Sequence, residues 1–364
     1  MIAVMYGTTG ELIKLLPVLD RLRRRGIGYV SVTTAQQVEQ IPDLLESFDL
    51  PQPDIWLAHG AHGRDLRTNR QVPGWFASVA ANFSRTASGL RRRLKAGPGR
   101  PLVLVHGDTL TTMIGSAMGR LLGLPVAHVE AGMRSHDLRQ PFPEELNRRV
   151  TSKLATIHYA PGAYATANLR GGVIIDTGSN TIRDSLDMIR TTQPLPFPLP
   201  DGPYGLVSLH RFELLNNRAL LTATIQALAD NAGRHNMLFI DHPVTAAAIS
   251  TFGLDRLFAG GLRRIPRLIF SQFVELERGS AFVVTDSGGS QEETYYMDIP
   301  CLIHRGKTEH PEGVGENVVI SSYDMGVVHG FLREPSRFRR QHDLPPHSPS
   351  DMIVEDLIAR GFAA

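Results

Sequence analysis

The sequence predicts an α/β protein with two Rossmann-like domains, each built on a parallel β-sheet. Short apolar runs alternate with longer amphipathic stretches in both halves of the 364-residue chain, and this alternation is typical of β-α-β units. Between the halves, residues 194–203 read PLPFPLPDGP, in which five prolines forbid regular structure and make a semi-rigid connector. We therefore expect one domain at residues 1–190, a second at 200–345 and a last helix at 350–364.

The first half of the chain opens with a buried strand at residues 1–6, the tight loop Gly7–Gly10 and an amphipathic helix at 11–25. A glycine loop between a strand and a helix is a weak signal for a phosphate site, and it lacks the G-x-G-x-x-G pattern of a dinucleotide cofactor site. The same periodicity criteria predict the following further elements: strands 27–33, 102–105, 126–129, 156–160 and 173–176; helices 36–48, 73–94, 111–122, 162–169 and 182–190; and a polar loop at 59–71.

The second half repeats the alternation of strands and helices. The predicted elements are strands 204–208, 236–241, 268–270, 281–285, 300–303 and 318–320, helices 216–232 and 351–360, and a polar loop at 304–316. Ligands of such sheets bind beyond the carboxyl ends of the strands. Two domains of this kind predict a ligand cleft between them.

Composition excludes several classes of function. The formal net charge is +2, which implies no strong attraction to nucleic acid or to a membrane. The single Cys301 excludes an internal disulfide and fits a reducing cytoplasm. The sequence shows no metal-ligand pattern of cysteines or closely paired histidines, no signal peptide and no apolar run of membrane-spanning length. We expect a cytoplasmic protein.

Three carboxylates of the first half are acid/base candidates. Asp108 follows the strand at 102–105, and Glu130 follows the next strand at 126–129. These strands and the helix between them make a β-α-β unit, so both side chains should face the same crevice. Glu144, beside Glu145, follows Pro143 at the start of another helix. Alternatively, Asp108 is only a helix N-cap and Glu144 only complements a helix dipole.

The second half contains a candidate phosphate site. Ser287, Gly288 and Gly289 lie between a strand and a helix, where backbone N–H groups and the helix N-terminus favour an anion. The alternative is an ordinary serine cap with a glycine turn. One turn later, Glu292 and Glu293 could accept hydrogen bonds from ribose hydroxyls. His210 and Arg211 follow the first strand of this half; a lone histidine is more often structural, but this strand-end position favours function.

Taken together, these segments resemble one family. HGDT, HVEAG, PFPEELNRR, TGSNTIRDSL, VSLHR, TDSGGSQEE and TEHPEG are similar, in order and over nearly the whole chain, to motifs of the nonhydrolysing UDP-N-acetylglucosamine (UDP-GlcNAc) 2-epimerases. That resemblance implies the two-domain GT-B fold, a last helix that returns to the first domain, and a cofactor-independent homodimer. It implies a UDP-sugar substrate and interconversion of UDP-GlcNAc with UDP-N-acetylmannosamine (UDP-ManNAc).

The resemblance also implies roles for individual residues. Those that fall on the catalytic positions of the family are Asp108, Glu130, Glu144 and His210. Those that fall on its UDP site are Ser287, Gly288 and Gly289 at the diphosphate, Glu293 at the ribose, and Arg211, Lys14 and His310.

Two arginines of the family are replaced in this chain. The usual GTRPE reads GTTGE here, with Thr9 and Gly10 in place of Arg and Pro, and the usual TERPE reads TEHPE, with His310 in place of Arg. Fewer permanent cations therefore face the nucleotide. Gln36 matches one glutamine of an activating second-substrate site in bacterial members, whereas its surroundings match poorly, so activation stays open.

The expected chemistry explains the need for several carboxylates. C1 of a nucleotide sugar is an acetal carbon, so its neighbour C2 is not acidic. Elimination of UDP to a 2-acetamidoglucal, followed by readdition, avoids direct deprotonation of this non-acidic carbon. The two directions of the reaction need protonation from two faces of C2. Alternatives are a hydrolysing epimerase, a glycosyltransferase on the same fold, and a non-catalytic sensor, which would not need all four catalytic positions.

Overall fold

A computed structural model describes residues 1–66, 68–137, 142–189, 193–258, 260–308 and 310–363, without the side chain of Asn69. The chain divides into two compact units, one formed by Met1–Ser185 with Pro345–Ala364 and the other by Leu186–Leu344. Each unit contains its own parallel sheet with helices between successive strands. The predicted fold class is confirmed.

Within the described residues, the first unit contains a seven-stranded sheet in the order β3-β2-β1-β4-β5-β6-β7. Its strands are β1 (Ile2–Tyr6), β2 (Tyr29–Thr33), β3 (Ile55–Trp56), β4 (Leu102–His106), β5 (Val126–Val129), β6 (Ile157–Ala160) and β7 (Val173–Asp176). Its helices are α1 (Thr9–Arg24), α2 (Ile41–Ser47), α3 (Val72–Ala96), α4 (Leu110–Leu121), α5 (Glu144–Leu154), α6 (Ala163–Ala167) and α14 (Pro349–Ala359). Helix α7 (Ile182–Met188) begins in this unit and ends in the second. The central strands β1 and β4 are fully buried and, apart from His106 at the end of β4, consist of apolar and aromatic residues, as expected of strands covered on both faces.

The last helix, α14, packs against α1 and contributes to the core of the first unit. Ile353, Val354 and Leu357 are fully buried in the core of the first unit. Arg21 of α1 donates to Asp351 at 2.7 Å, and the hydroxyl of Tyr159 in β6 donates to Asp356 at 2.9 Å. Apolar burial thus fixes the helix on this unit, and the polar contacts set its register.

Within the described residues, the second unit contains a six-stranded sheet in the order β10-β9-β8-β11-β12-β13. Its strands are β8 (Tyr204–Ser208), β9 (Asn236–Ile240), β10 (Leu262–Ile265), β11 (Phe282–Thr285), β12 (Cys301–Ile303) and β13 (Val318–Ile320). Its helices are α8 (Phe212–Leu215), α9 (Arg218–Asn231), α10 (Pro243–Thr251), α11 (Phe270–Arg278), α12 (Gly288–Met297) and α13 (Met325–Arg333). The proline-rich segment has no regular structure, as predicted, but it packs on this unit: Gln272 donates to the carbonyl of Pro194 at 2.8 Å.

Several predicted elements are wrong or displaced. The predicted strand at 268–270 does not form, because α11 begins at Phe270, and the strand lies earlier as β10, where Arg263 and Arg264 obscure the apolar pattern. The predicted helix at 36–48 begins only at Ile41, since Pro42 is tolerated in a first turn but not in a helix interior. Sequence reasoning missed the short strand β3 and the helices α8, α10, α11 and α13.

Candidate active site

In the first unit, two candidate carboxylates lie at the carboxyl ends of neighbouring strands. β4 and β5 pair in parallel, with His106 opposite Val129. Asp108 comes two residues after β4, and Glu130 comes directly after β5. The structure therefore brings both to one edge of this sheet.

Glu130 is held by three polar side chains. Its Oε2 accepts hydrogen bonds from the ammonium of Lys14 and from the amide of Asn180, and Nε2 of His106 lies 3.7 Å away. Burial would raise the pKa of this carboxyl, but the charge of Lys14 and the hydrogen bonds from Lys14 and Asn180 outweigh it and hold the pKa well below its usual range. Glu130 therefore carries a fixed negative charge.

The backbone of Glu130 is strained. Its φ of 63° lies in the left-handed region, which non-glycine residues seldom occupy. Such a conformation costs about 1–3 kcal/mol and persists where the surroundings enforce it, often at functional sites. The strain directs the carboxylate toward Lys14 and Asn180 instead of continuing the strand.

Two buried histidines beneath this carboxylate are neutral. Burial lowers the pKa of His106 to about 4 and that of His128 to about 3, and the nearby charge of Glu130 does not reverse either shift. Nε2 of His128 donates to the carbonyl of Gly107 at 2.7 Å, which fixes the turn that precedes Asp108. Neither histidine supplies a charge at neutral pH.

Asp108 is not the N-cap of α4. Thr109 caps this helix and forms a capping box with Thr112. The side chain of Asp108 instead accepts a hydrogen bond from Nε of Arg148 at 2.9 Å, and Nη2 of Arg148 lies 2.5 Å away. Asn147 donates to the carbonyl of Asp108 at 2.9 Å. The alternative prediction, that Asp108 only caps α4, is therefore wrong. Arg148 and Asn147 of α5 instead orient the side chain of Asp108, which is 25% exposed.

The two glutamates that begin α5 differ. Glu144 is the first residue of the helix and is partly buried, on the same helix as the Arg148 that binds Asp108. Glu145 is fully buried and accepts from the backbone N–H of Ser135 at 3.0 Å and from Arg149 at 2.9 Å. Glu145 thus fixes the loop after β5, which leaves Glu144 as the candidate for chemistry.

Sequence reasoning missed Glu11, which organises the loop after β1. Its carboxylate accepts hydrogen bonds from the backbone N–H groups of Gly7 and Thr8, each at 2.9 Å, and from the hydroxyl of Thr109 at 2.6 Å. Burial nevertheless raises its pKa. The available signal was the capping-box spacing from Thr8 to Glu11, which also starts α1 at Thr9, within the predicted loop.

In the second unit, Asp286 holds the segment that carries His210 and Arg211. Its buried carboxylate accepts from the backbone N–H of His210 at 2.9 Å and from that of Arg211 at 2.8 Å. Nδ1 of His210 lies 3.3 Å from Oδ1 of Asp286 without forming a hydrogen bond, so the carboxylate positions this residue through the backbone N–H groups that it binds. Burial raises the pKa of Asp286, although His210 and the two backbone donors oppose the shift.

The ring of His210 packs against the ring of His242. The ring centroids lie 4.9 Å apart, and Nε2 of His242 lies 3.2 Å from the hydroxyl of Ser208. Burial lowers the pKa of His242 to about 4, and the proximity of His210 lowers it further. His242 is therefore neutral at neutral pH.

The candidate phosphate turn begins α12 as expected. Ser287 is the N-cap and accepts from the N–H of Ser290, and Gly288 and Gly289 form the first turn. The ring of His310 lies over Gly288, because a Cβ there would meet its Cδ2 at 2.8 Å. Nη1 of Arg305 lies 3.8 Å from that same position. A helix N-terminus with an imidazole and a guanidinium beside it is suited to an anion.

Glu293 is buried and does not lie on the surface of the second unit. Its residue is 6% exposed, and its neighbour Glu292 is fully buried. Glu277 of α11 is also fully buried, and burial followed by the charge of Glu293 raises the pKa of Glu277 well above its usual value. Burial and the neighbouring charge thus favour the protonated form of Glu277, which lies beside Glu293.

Two parallel α/β units with polar residues at strand ends and a glycine turn at a helix N-terminus define a two-domain α/β protein of the GT-B type. The family model for UDP-N-acetylglucosamine 2-epimerase matches residues 21–330. The chain belongs to this family, as the sequence motifs predicted.

Individual relatives agree over most of the chain. A probable UDP-N-acetylglucosamine 2-epimerase of Ralstonia nicotianae is 32% identical over 340 residues, which cover 87% of this chain and 85% of the relative. The UDP-N-acetylglucosamine 2-epimerase of Escherichia coli is 30% identical over 339 residues, with 87% and 85% covered. A UDP-GlcNAc 2-epimerase of Neisseria meningitidis, solved with UDP-GlcNAc bound, is 26% identical, with a TM-score of 0.80 over 98% of this chain and 99% of that chain.

Among the described residues, none of the helices has the length and apolar character needed to cross a membrane.

Proposed function

We propose that this protein is a nonhydrolysing UDP-GlcNAc 2-epimerase, which interconverts UDP-GlcNAc and UDP-ManNAc and retains the sugar on the nucleotide. Membership of the family supports the reaction, and HVEAG followed by PFPEE favours the nonhydrolysing branch. The observation that carries the proposal is a pair of oriented carboxylates at one sheet edge. Glu130 accepts a hydrogen bond from Lys14, and Asp108 accepts one from Arg148.

The chemistry assigns work to these charges. Breaking the C1–O bond to UDP places positive charge on C1 and negative charge on the diphosphate. A carboxylate whose pKa is held low, as that of Glu130 is, stays ionised and stabilises the developing cation. A base then removes the C2 proton, which gives the 2-acetamidoglucal.

Asp108, Glu144 and His210 complete the acid/base set. Asp108 is partly exposed, and Arg148 and Asn147 fix its position. Asp286 orients His210, whose side chain is 39% exposed and so accessible for proton transfer. Return of a proton to the opposite face of C2, with readdition of UDP at C1, gives the epimer. No step requires a cofactor.

The nucleotide is assigned to the N-terminus of α12. Ser287, Gly288 and Gly289 would bind the diphosphate through backbone N–H groups and the helix dipole. Arg211 and His310 would add donors to the phosphates. Lys14 also belongs to this set, because an ammonium has three N–H donors and so can serve Glu130 and a phosphate oxygen together.

Glu293 is assigned to the ribose hydroxyls. Its carboxylate offers acceptor oxygens, and the raised pKa of Glu277 favours a protonated neighbour that can donate to it. Glu293→Ala should weaken UDP binding in calorimetry, whereas the exposed Glu334→Ala on the same unit should not. Equal UDP affinity in wild type and folded Glu293→Ala would remove this assignment.

Deuterium labelling tests the reaction. Incubation with UDP-GlcNAc in deuterated water should give UDP-ManNAc with deuterium at C2, because elimination breaks the C2–H bond and the returning proton comes from an exchangeable group. A hydrolysing enzyme would accumulate free UDP and free sugar, and a glycosyltransferase or sensor would leave C2 unlabelled. Either outcome overturns the proposal.

Asp108→Asn supplies the matched variant for this assay. It should abolish labelling while UDP binding persists, because it removes a charge from the reacting end. Asp43→Asn, an exposed aspartate in the first turn of α2, should label at the wild-type rate. Product that forms with full retention of hydrogen at C2 would contradict the mechanism as written.

The proposal extends to a homodimer, which the family resemblance alone supports, in the cytoplasm, which the single Cys301 favours. Light scattering should give twice the chain mass of 40.0 kDa. A monomeric mass across the working concentration range would refute this part.

A further inference from the structure

Three side chains beside the first turns of α12 converge with metal-ligand chemistry. Nδ1 of His310 lies 3.7 Å from Oε1 of Glu292 and 3.6 Å from Oε2 of Glu312. All three ligand atoms lie within 4.8 Å of one another. The side chains are 11%, 1% and 8% exposed, respectively, so this is a buried cluster and not a surface group of acids.

The two measured separations fit a small divalent cation. Zinc binds imidazole nitrogen and carboxylate oxygen at about 2.0–2.2 Å, so neighbouring ligands of a tetrahedral site lie roughly 3.3–3.6 Å apart. The distance from His310 to Glu312, 3.6 Å, lies at the upper end of this range, and the distance to Glu292, 3.7 Å, lies just above it. Rotation of a carboxylate would bring the third pair into it. One imidazole with two carboxylates leaves a fourth position open, which a phosphate oxygen could occupy.

A single side chain fixes the backbone around the cluster. The amide of Gln291, next to Glu292 on α12, donates to the carbonyl of His310 at 2.8 Å and to that of Glu312 at 3.1 Å. Its oxygen accepts from the hydroxyl of Thr308 at 2.7 Å. The loop that carries two of the three ligands is therefore bound to the helix that carries the third, which is the outer support that metal sites require.

The burial of Glu312 is a second, independent indication of a cation site. Its Oε2 is buried, and within the described part of the chain it accepts no hydrogen bond. A buried carboxylate oxygen without a donor is costly, and a metal ion removes that cost. We propose that Glu292, His310 and Glu312 form a zinc-binding site beside the N-terminus of α12, a site that needs neither nucleotide nor sugar and so goes beyond the epimerase function.

The competing explanation is an ion pair, in which a protonated His310 lies between two glutamates without any metal. Zinc requires the neutral ring and releases protons when it binds. The two explanations therefore differ in a direct measurement of zinc binding on the protein alone.

Protein freed of metal with a chelator would be titrated with zinc chloride by calorimetry, and retained zinc counted by mass spectrometry. We expect one zinc per chain. His310→Gln and Glu312→Gln should each weaken binding by at least roughly 10- to 100-fold, the loss that removal of an outer-shell partner already causes. His342→Gln is the matched control, because Nδ1 of His342 lies 3.1 Å from Glu316 in an exposed histidine–glutamate pair.

Several outcomes would overturn the site. One is a wild-type protein that binds no zinc; others are His310→Gln and Glu312→Gln variants that bind as the wild type does, or a His342→Gln variant that alone loses zinc. X-ray absorption at the zinc edge of the wild type is independent of how the variants fold. It should show a single imidazole with oxygen ligands, and a sulfur ligand or several imidazoles would equally refute the assignment.

Discussion

Replacing Lys14 by methionine tests the charge arrangement at Glu130. The side chains are 14% and 10% exposed, so the ion pair is buried and little screened by solvent. Methionine keeps the volume but leaves Glu130 without its main cation, and breaking a buried pair in this way costs about 3–5 kcal/mol. Because each kcal/mol lowers Tm by about 2–4 °C in a domain of this size, the first unit should melt roughly 6–20 °C lower.

The pH dependence of this loss has a defined sign. In the wild type, the pKa of Glu130 lies below its unfolded value, so the stability it contributes is present above about pH 4.3 and is lost as pH falls. In Lys14→Met the desolvation of Glu130 is less opposed, which shifts its pKa upward, and that stability is reduced. The difference in Tm between the two proteins should therefore be larger at pH 7 than at pH 4.

Differential scanning calorimetry at both pH values measures the effect. Lys95→Met, on an exposed lysine of α3, should leave Tm unchanged. The double variant Lys14→Met/Glu130→Gln should recover most of the lost stability, because it also removes the buried charge. A Lys14→Met protein that melts within about 2 °C of wild type at pH 7, or whose deficit is the same at pH 4, would refute the reasoning.

Three further predictions use the same protein. Gly288→Ala should weaken UDP binding in calorimetry, because its methyl group would meet an imidazole ring at 2.8 Å, whereas Gly289→Ala, with its nearest neighbour at 3.7 Å, should bind UDP normally; equal losses would contradict this. Arg148→Met should slow deuterium incorporation at C2 by roughly 100-fold without changing UDP affinity, since it releases Asp108; an unchanged rate would show that the contact is dispensable. Burial raises the pKa of Cys301, so Ellman's reagent should react with it only after unfolding, and rapid reaction of the native protein would disprove that burial.

The fold was predictable because the strands of a parallel sheet are short, apolar and followed by glycine or polar residues. Strands β5, β7, β8 and β13 form at the predicted residues. Errors arose where local pattern and packing diverge. β10 is an edge strand that contains two arginines, and these interrupt its apolar pattern. The apolar run at 268–270 therefore gives a stronger strand signal, although no strand forms there.

The candidate carboxylates were predictable, but their partners were not. Asp108 and Glu130 follow apolar strands, and this position is visible in sequence. Arg148, by contrast, is 40 residues from Asp108, and Asn180 is 50 residues from Glu130. A lysine, arginine or asparagine on a helix or loop normally faces solvent, so only the folded chain shows which of them orients a carboxylate.

The partners of Asp286 were likewise not predictable from the sequence. Its place after β11 was visible, but its function lies in accepting two backbone N–H groups from the end of β8, 75 and 76 residues earlier. β8 and β11 are adjacent in the sheet although distant in the chain. Sheet order, which local sequence does not encode, decides that an aspartate of one strand end positions His210 at another.

Each unit by itself presents charges that suit one half of the proposed elimination. In the first unit, carboxylates bound by Lys14 and Arg148 present oriented negative charge, which favours a cation at C1. In the second unit, the N-terminus of α12 offers backbone N–H groups at Gly288 and Gly289 that suit an anion, with Arg305 near Gly288. A simple binding module would gain nothing from burying Glu130 in a strained conformation against a lysine. That expense is physically reasonable where a fixed charge must stabilise a transition state, which is why we favour catalysis over sensing.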